Sequence, residues 1–254
     1  MSKMISDEQL YSFWDSKEQA EMITCGAVYP ESVMQGYQHG EQISLSGCRI
    51  VRHNCGFAFM YGIPTARNLE QIIFLMHTAK ENGRRFVLFC ENERLGRYFE
   101  MNSGVKVEKR YFFELAQDKS GDIILPENFV IKPIDASILP RLDGRIKPSF
   151  SWESDESFLQ KGVGFCAMYG DTPAAWAFSA AVSDREIDIG VETLEGFRGK
   201  GLAAAVAGKM AAYVLSIGKK PVWACHSGNI ASQKTAARAG FVKVRECRTV
   251  RLEV

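Results

Sequence analysis

The chain has 254 residues, of which 46% are hydrophobic and 24% charged, and its formal net charge is +1. That length fits one large domain or two small ones, and that composition buries an ordinary core, which excludes a disordered chain. A near-neutral balance with no basic stripe speaks against a nucleic-acid partner, so any anion site must be local.

The first residues, MSKMISDEQLYSFW, carry no apolar signal core, and no run approaches the roughly 20 apolar residues a membrane span needs. No membrane contact is expected. The cysteines (Cys25, Cys48, Cys55, Cys90, Cys166, Cys225 and Cys247) are scattered and never spaced CxxC, and the histidines are equally dispersed. The pattern predicts reduced thiols, no metal site and a cytoplasmic location.

Residues 1–40 read as helical pieces with a turn around Tyr29 and Pro30. GFAFMYG at 56–62 reads as a buried strand and 66–83 as a helix closing on Gly83. A short strand at 85–90, a helix at 92–104 and a long strand at 105–115 follow. The polar stretch AQDKSGD at 116–122 breaks the pattern and marks a boundary. It divides the chain into 1–122 and 123–254.

The second half opens with a strand at 129–135 and a short helix near 155–160. Strands at 164–170, 174–182 and 186–194 are separated by the turn residues Gly170-Asp171 and Ser183-Asp184, which predicts an antiparallel meander. A helix within EGFRGKGLAAAVAGKMAAYV, a strand at 221–226, a helix at 229–240 and a strand at 241–254 complete the chain. The two halves echo each other: 18 positions separate Phe86 from Gly104 and Val222 from Gly240. Both intervals run strand, helix, glycine, strand, as a degenerate duplication would. Chance recurrence of a common α/β unit is the competing explanation.

The densest chemistry lies in FRGKG at 197–201. The first N–H groups of a helix lack internal partners and carry partial positive charge. Glycines let an anion approach that backbone, and Arg198 and Lys200 add full charges. The stretch ends in no GK-Ser/Thr triplet and contains no GxGxxG, so it is neither a P-loop nor a dinucleotide fingerprint. A plain glycine turn before an exposed helix is the simpler alternative for these residues alone.

Arg198-Gly199-Lys200-Gly201-Leu202-Ala203 resembles the Arg/Gln-x-x-Gly-x-Gly/Ala motif of the GNAT superfamily of N-acyltransferases. Downstream, Asn229, Ser232, Gly240 and Phe241 resemble that family's second block. The resemblance covers about 129–254; within the superfamily, IGVET and FRGKGLA are similar to the zwittermicin A resistance group. It implies an α/β fold with a mixed, mostly antiparallel sheet. If the echo between the halves is a duplication, the N-terminal half is a degenerate second unit of this kind that lacks the cradle. That half would complete the core, bind substrate or form a homodimer face.

The resemblance further implies that acetyl-CoA is the co-substrate and a small-molecule amine the acceptor, an antibiotic-like aminopolyol by the narrower likeness. Backbone N–H groups of Gly199, Lys200, Gly201, Leu202 and Ala203 would hold its pyrophosphate, with Arg198 orienting the loop. Val191 and Thr193 would pair with the pantetheine arm, and Asn229 and Ser232 would face the thioester wedge. Asn229 reads equally as a helix N-cap. Attack of a neutral amine on a thioester needs a base for the ammonium proton. Glu192, near the end of the strand before the cradle, and His226, at the end of the next strand, are the two choices. Glu186, Cys225 and Tyr169 are weaker ones, and an outward strand residue or a packing histidine is the plainer role for the first two. Many relatives carry a tyrosine acid where this chain has Ala236. An acyl-CoA sensor without turnover and a tandem-GNAT transferase with another donor are the rival readings.

Overall fold

The computed structural model describes residues 6, 8–9, 26–101, 104–116 and 125–253. Most of the helical pieces expected in 1–25, and 117–122 of the expected boundary, lie outside them. The N-terminal half holds α1 (Val28–Met34), β1 (Gly40–Leu45), β2 (Cys48–His53), β3 (Phe57–Gly62), α2 (Ala66–Glu81), β4 (Val87–Cys90), α3 (Glu93–Glu100) and β5 (Val105–Leu115). The C-terminal half holds β6 (Phe129–Pro133), α4 (Asp155–Lys161), β7 (Gly164–Tyr169), β8 (Thr172–Val182), β9 (Glu186–Thr193), α5 (Leu202–Ser216), β10 (Lys220–His226), α6 (Ile230–Arg238) and β11 (Phe241–Leu252).

Two local readings are corrected. Tyr29 and Pro30 lie inside α1, not in a turn. Proline is tolerated there because the N–H groups of a first helical turn have no internal acceptor to lose. The hairpin β1–β2 was not anticipated. Its first strand alternates between exposed and half-buried residues, so it presents no apolar run to read. The turn between the two strands is made at Gly47, whose φ of 82° is open to glycine at little cost.

The strands form one sheet in the order β1-β2-β3-β4-β11-β5-β10-β9-β8-β7-β6. Only the pairs β3/β4 and β9/β10 are parallel, so the sheet is mixed and mostly antiparallel, as expected. The predicted meander is β7-β8-β9. About the β11/β5 pair the two flanks mirror each other strand for strand, except that β6 adds an outer strand on one side. Each half's last strand is inserted beside a strand of the other half: β5 pairs β10, and β11 pairs β4. The central pair runs antiparallel from Phe241 opposite Leu115 to Leu252 opposite Val105.

Apolar side chains on β7, β8, β9 and β10 pack against α5, around Trp176, Phe178 and Met210. A second core places Leu69, Ile72 and Met76 of α2 against Leu88 and Val250. A third joins the halves: Tyr29 and Val28 meet Phe57, Phe59, Phe89, Phe112 and Ala181. That junction fixes α1 against the strand that leads into the glycine loop. Among the described residues, no helix is long and apolar enough to cross a membrane.

Candidate active site

β9 and β10 run parallel for only three pairs, ending at Asp188 opposite Val222. Beyond that point β10 follows β5, pairing through His226 opposite Arg110, while β9 stays with β8 as far as Thr193 opposite Ala175. A wedge therefore opens between the two strands, and the β10-facing edge of β9 is left without a neighbouring strand.

The wedge leads into a cleft of about 300 Å³. Its walls include Val191, Glu192 and Thr193 from β9, and Arg198, Gly199, Lys200, Gly201, Leu202 and Ala203 from the loop and start of α5. Asn229 and Ser232, at the start of α6, face them. Every residue expected at the co-substrate site is thus brought to one cleft, with Glu192 beside them.

The loop is built to leave donors free. The ladder of α5 starts with Ala205 N–H to Gly201 O at 3.1 Å, and among the described residues no backbone acceptor takes the N–H groups of 199–204. Gly201 is the N-cap at φ 80°, with no side chain to close the helix end. A Cβ added at Gly199 or Gly201 would meet nothing within 4 Å, so the approach to the backbone is open. Arg198 Nε donates to Thr193 O at 3.3 Å, tying the loop to the end of β9. Thr193 Oγ1 is buried without a partner among the described residues. Free donors, an orphaned hydroxyl and two cations suit a phosphate-bearing ligand. The corresponding helix of the N-terminal half is closed. Thr65 Oγ1 accepts Asn68 N–H at 3.2 Å and Asn68 Oδ1 accepts Thr65 N–H at 2.8 Å, a capping box that occupies the donors an anion would use.

Asn229 is the N-cap of α6, accepting Ser232 N–H at 3.0 Å, and Ser232 Oγ accepts Trp223 Nε1–H at 3.1 Å. Both residues therefore also hold the wall itself. At the tyrosine-acid position Ala236 is fully buried, and the Thr235 hydroxyl is engaged by Ala231 O at 3.0 Å.

Asp188, Gly190 and Glu192 alternate onto one face of β9. Glu192 Oε2 accepts Ile146 N–H and Oε1 accepts Thr193 N–H, both at 3.3 Å. Gly144 lets the 143–147 loop close over it, since a Cβ there would lie 3.0 Å from Glu192 Cγ and 2.8 Å from the Trp176 ring. His226 does not line the cleft. Its Nδ1 accepts Gly228 N–H at 3.0 Å, and its Nε2 lies 3.4 Å from Glu108 Oε1. Both ring nitrogens are thus engaged away from the cleft. The acids at 153–156 serve α4: Ser154 caps it, Asp155 and Glu156 occupy its first turn, and Glu153 accepts Ser157 Oγ–H at 2.6 Å.

The sequence reading passed over Asp188. It is 4% exposed at the apex of the wedge, where Tyr29 OH donates to its Oδ2 at 2.5 Å from α1. Burial first pushes the carboxyl up, from 3.8 to about 6, against the pull of the Tyr29 hydrogen bond and of Arg110. The folded chain thus holds a proton between about pH 4 and about pH 6 that the unfolded chain releases. That contribution to stability is complete below about pH 4 and is lost as pH rises through about 6. Asp188→Asn keeps an oxygen for Tyr29 and abolishes the titration. Urea unfolding midpoints from pH 4 to 8 should shift in favour of the variant as pH rises through about 6. A difference independent of pH would refute the buried carboxyl.

Among the described residues, no three His, Cys, Asp or Glu side chains are grouped to hold a metal ion. The model of the family "GNAT acetyltransferase" matches residues 32–250, across both halves of the sheet. An uncharacterized N-acetyltransferase, YdfB of Bacillus subtilis (strain 168), is 32% identical over 124 residues, which is 48% of each chain. The match thus spans about half the length of that curated relative. A GCN5-related N-acetyltransferase-like protein from Streptococcus suis superposes with a TM-score of 0.65 at 22% identity, covering 84% of this chain and 88% of that one. A GCN5-related N-acetyltransferase from Kribbella flavida gives 0.61 at 14%, covering 92% and 97%. At these identities the structural likeness extends to the fold alone. With one family match running through both halves, the chain belongs to the GNAT acetyltransferase family.

Proposed function

We propose that the protein transfers an acetyl group from acetyl-CoA to the amine of a small molecule. The observation that carries this reading is the unfilled row of N–H groups at 199–204, set at the end of a cleft that runs back to a carboxylate at a strand wedge. When bound, acetyl-CoA supplies an acetyl group activated as a thioester, which passes to nitrogen with release of the thiol.

The chain's own residues divide the work. The 199–204 donors, with Arg198 and Lys200, neutralise the pyrophosphate, and the bare edge of β9 at Val191 and Thr193 pairs with an extended arm as an added strand does. Glu192 takes the proton that the attacking amine must lose. Asp188 is the second carboxylate on that face, favoured by its place at the apex of the wedge and by a carboxyl already raised toward neutral pH. With Ala236 at the acid position, the thiolate leaves unprotonated; thiols of ordinary pKa near 8.5 do so tolerably. We further propose that 123–254 is the binding half and that 1–122, its own helix end capped, completes the core and the acceptor side.

A thiol-release assay with acetyl-CoA and a panel of amines tests this. Binding without release in any pairing would favour a sensor. Release with another acyl-CoA but not with acetyl-CoA would point to a different donor.

A further inference from the structure

On the acceptor side of the wedge, three arginines gather from distant parts of the chain. Arg85 precedes β4, Arg110 is on β5, and Arg145 is in the loop that closes over Glu192. The guanidinium carbons of Arg85 and Arg110 lie 4.5 and 4.7 Å from the centroid of one ring, Phe57. Arg85 also lies 5.8 Å from Phe150, and Arg110 6.0 Å from Phe89. Arg85 also feels the like charges of Arg110 and Arg145.

None of the three has a carboxylate within ion-pair distance among the described residues. Several exposed arginines elsewhere share that lack, so the distinguishing feature is Arg110: it spends one nitrogen on Ala224 O at 3.2 Å, while its Nε is buried with no partner among the described residues. Aromatic faces offset part of the cost of such a cluster. They leave the planar forks of hydrogen-bond donors unfilled, and a guanidinium fork matches a carboxylate or phosphate.

We infer that the acceptor carries a carboxylate beside its amine, and that Arg85, Arg110 and Arg145 receive that carboxylate. The inference rests on the reading of the cleft as the acetyl-CoA site. Arg110 fixes the spacing. It bonds to Ala224, two residues past the last β9–β10 pair, so the anion it serves lies close to the reacting amine. An amine and a carboxylate borne by one carbon, with Asp188 and Glu192 toward the one and the arginines toward the other, describe an α-amino acid.

The test compares matched acceptors: phenylalanine with phenethylamine, and leucine with isoamylamine. Phosphoethanolamine and the neutral amino sugar glucosamine complete the set. Wild type should favour each amino acid over its decarboxylated partner by at least about tenfold in kcat/KM, mostly through KM. Arg85→Gln and Arg145→Gln, both at exposed positions, should each reduce that preference several-fold by raising KM for the amino acid. Acetyl-CoA affinity, measured alongside, should stay unchanged. Calorimetry of the same pairs in the presence of CoA reads the site without turnover. Equal or better binding of the decarboxylated amines would overturn the inference. So would preference for glucosamine, or for phosphoethanolamine over both amino acids, or a preference untouched in both arginine variants. Loss of the cleft reading shows instead as absent acetyl-CoA binding in wild type.

Discussion

Glu192→Gln should lower kcat by at least about tenfold, and by as much as 10² to 10⁴ if the carboxylate takes the whole proton transfer. The position argues for it. Glu192 lines the cleft on the strand edge that β10 abandons, and the 143–147 loop folds over it with Gly144 as the point of closest approach. Gln keeps the shape and an oxygen for Ile146 N–H but has no basicity. Acetyl-CoA affinity should hold, because the co-substrate meets backbone here rather than this carboxylate. Raising the pH should restore part of the rate, since more of the amine is then already neutral. His226→Gln should cost less, since both ring nitrogens are spent on Gly228 N–H and Glu108. An inactive His226→Gln beside an active Glu192→Gln would place the base on β10. An active Glu192→Gln beside an inactive Asp188→Asn, with an acid limb near pH 6, would place it at the wedge apex instead.

Gly201→Val should raise the dissociation constant for acetyl-CoA by at least about a hundredfold, the loss of roughly two charge-assisted hydrogen bonds. In the free protein a Cβ added there meets nothing within 4 Å among the described residues. Backbone strain at φ 80° costs on the order of 1–3 kcal/mol, or several degrees of melting temperature. A control separates the two effects. Gly83, at the end of α2, has φ 65° and equally open surroundings. Gly83→Val should lower the melting temperature by a similar amount and leave acetyl-CoA affinity alone. Affinity unchanged in Gly201→Val, or lost equally in Gly83→Val, would remove the cradle from 199–204.

Local sequence determined the parts whose signal is local. The β7–β8–β9 meander was legible because apolar runs of strand length are broken by Gly170-Asp171 and Ser183-Asp184. The open glycine loop at the start of α5 was legible because glycines and cations crowd six residues immediately before an apolar run. α5, β10 and α6 followed from apolar periodicity and from Asn229 as a cap. The hairpin β1–β2 was not legible, because an edge strand with one half-wet face carries no apolar run.

Tertiary structure alone decided the rest. Which strand fills the gap beside β4 or β10 depends on which edges remain free after each half has formed, and no pattern within β5 or β11 records that choice. Tyr29 and Asp188 are 159 positions apart, and the buried pair exists only because α1 packs across β9. Arg85, Arg110 and Arg145 belong to a loop, a strand and a second loop, and they converge only when the N-terminal half is laid against the wedge. His226 looked like a base because its residue type titrates in the right range. Its ring nitrogens are instead engaged by Gly228 N–H and Glu108, and the second of these lies 118 positions away, on the strand the N-terminal half contributes to the shared centre of the sheet.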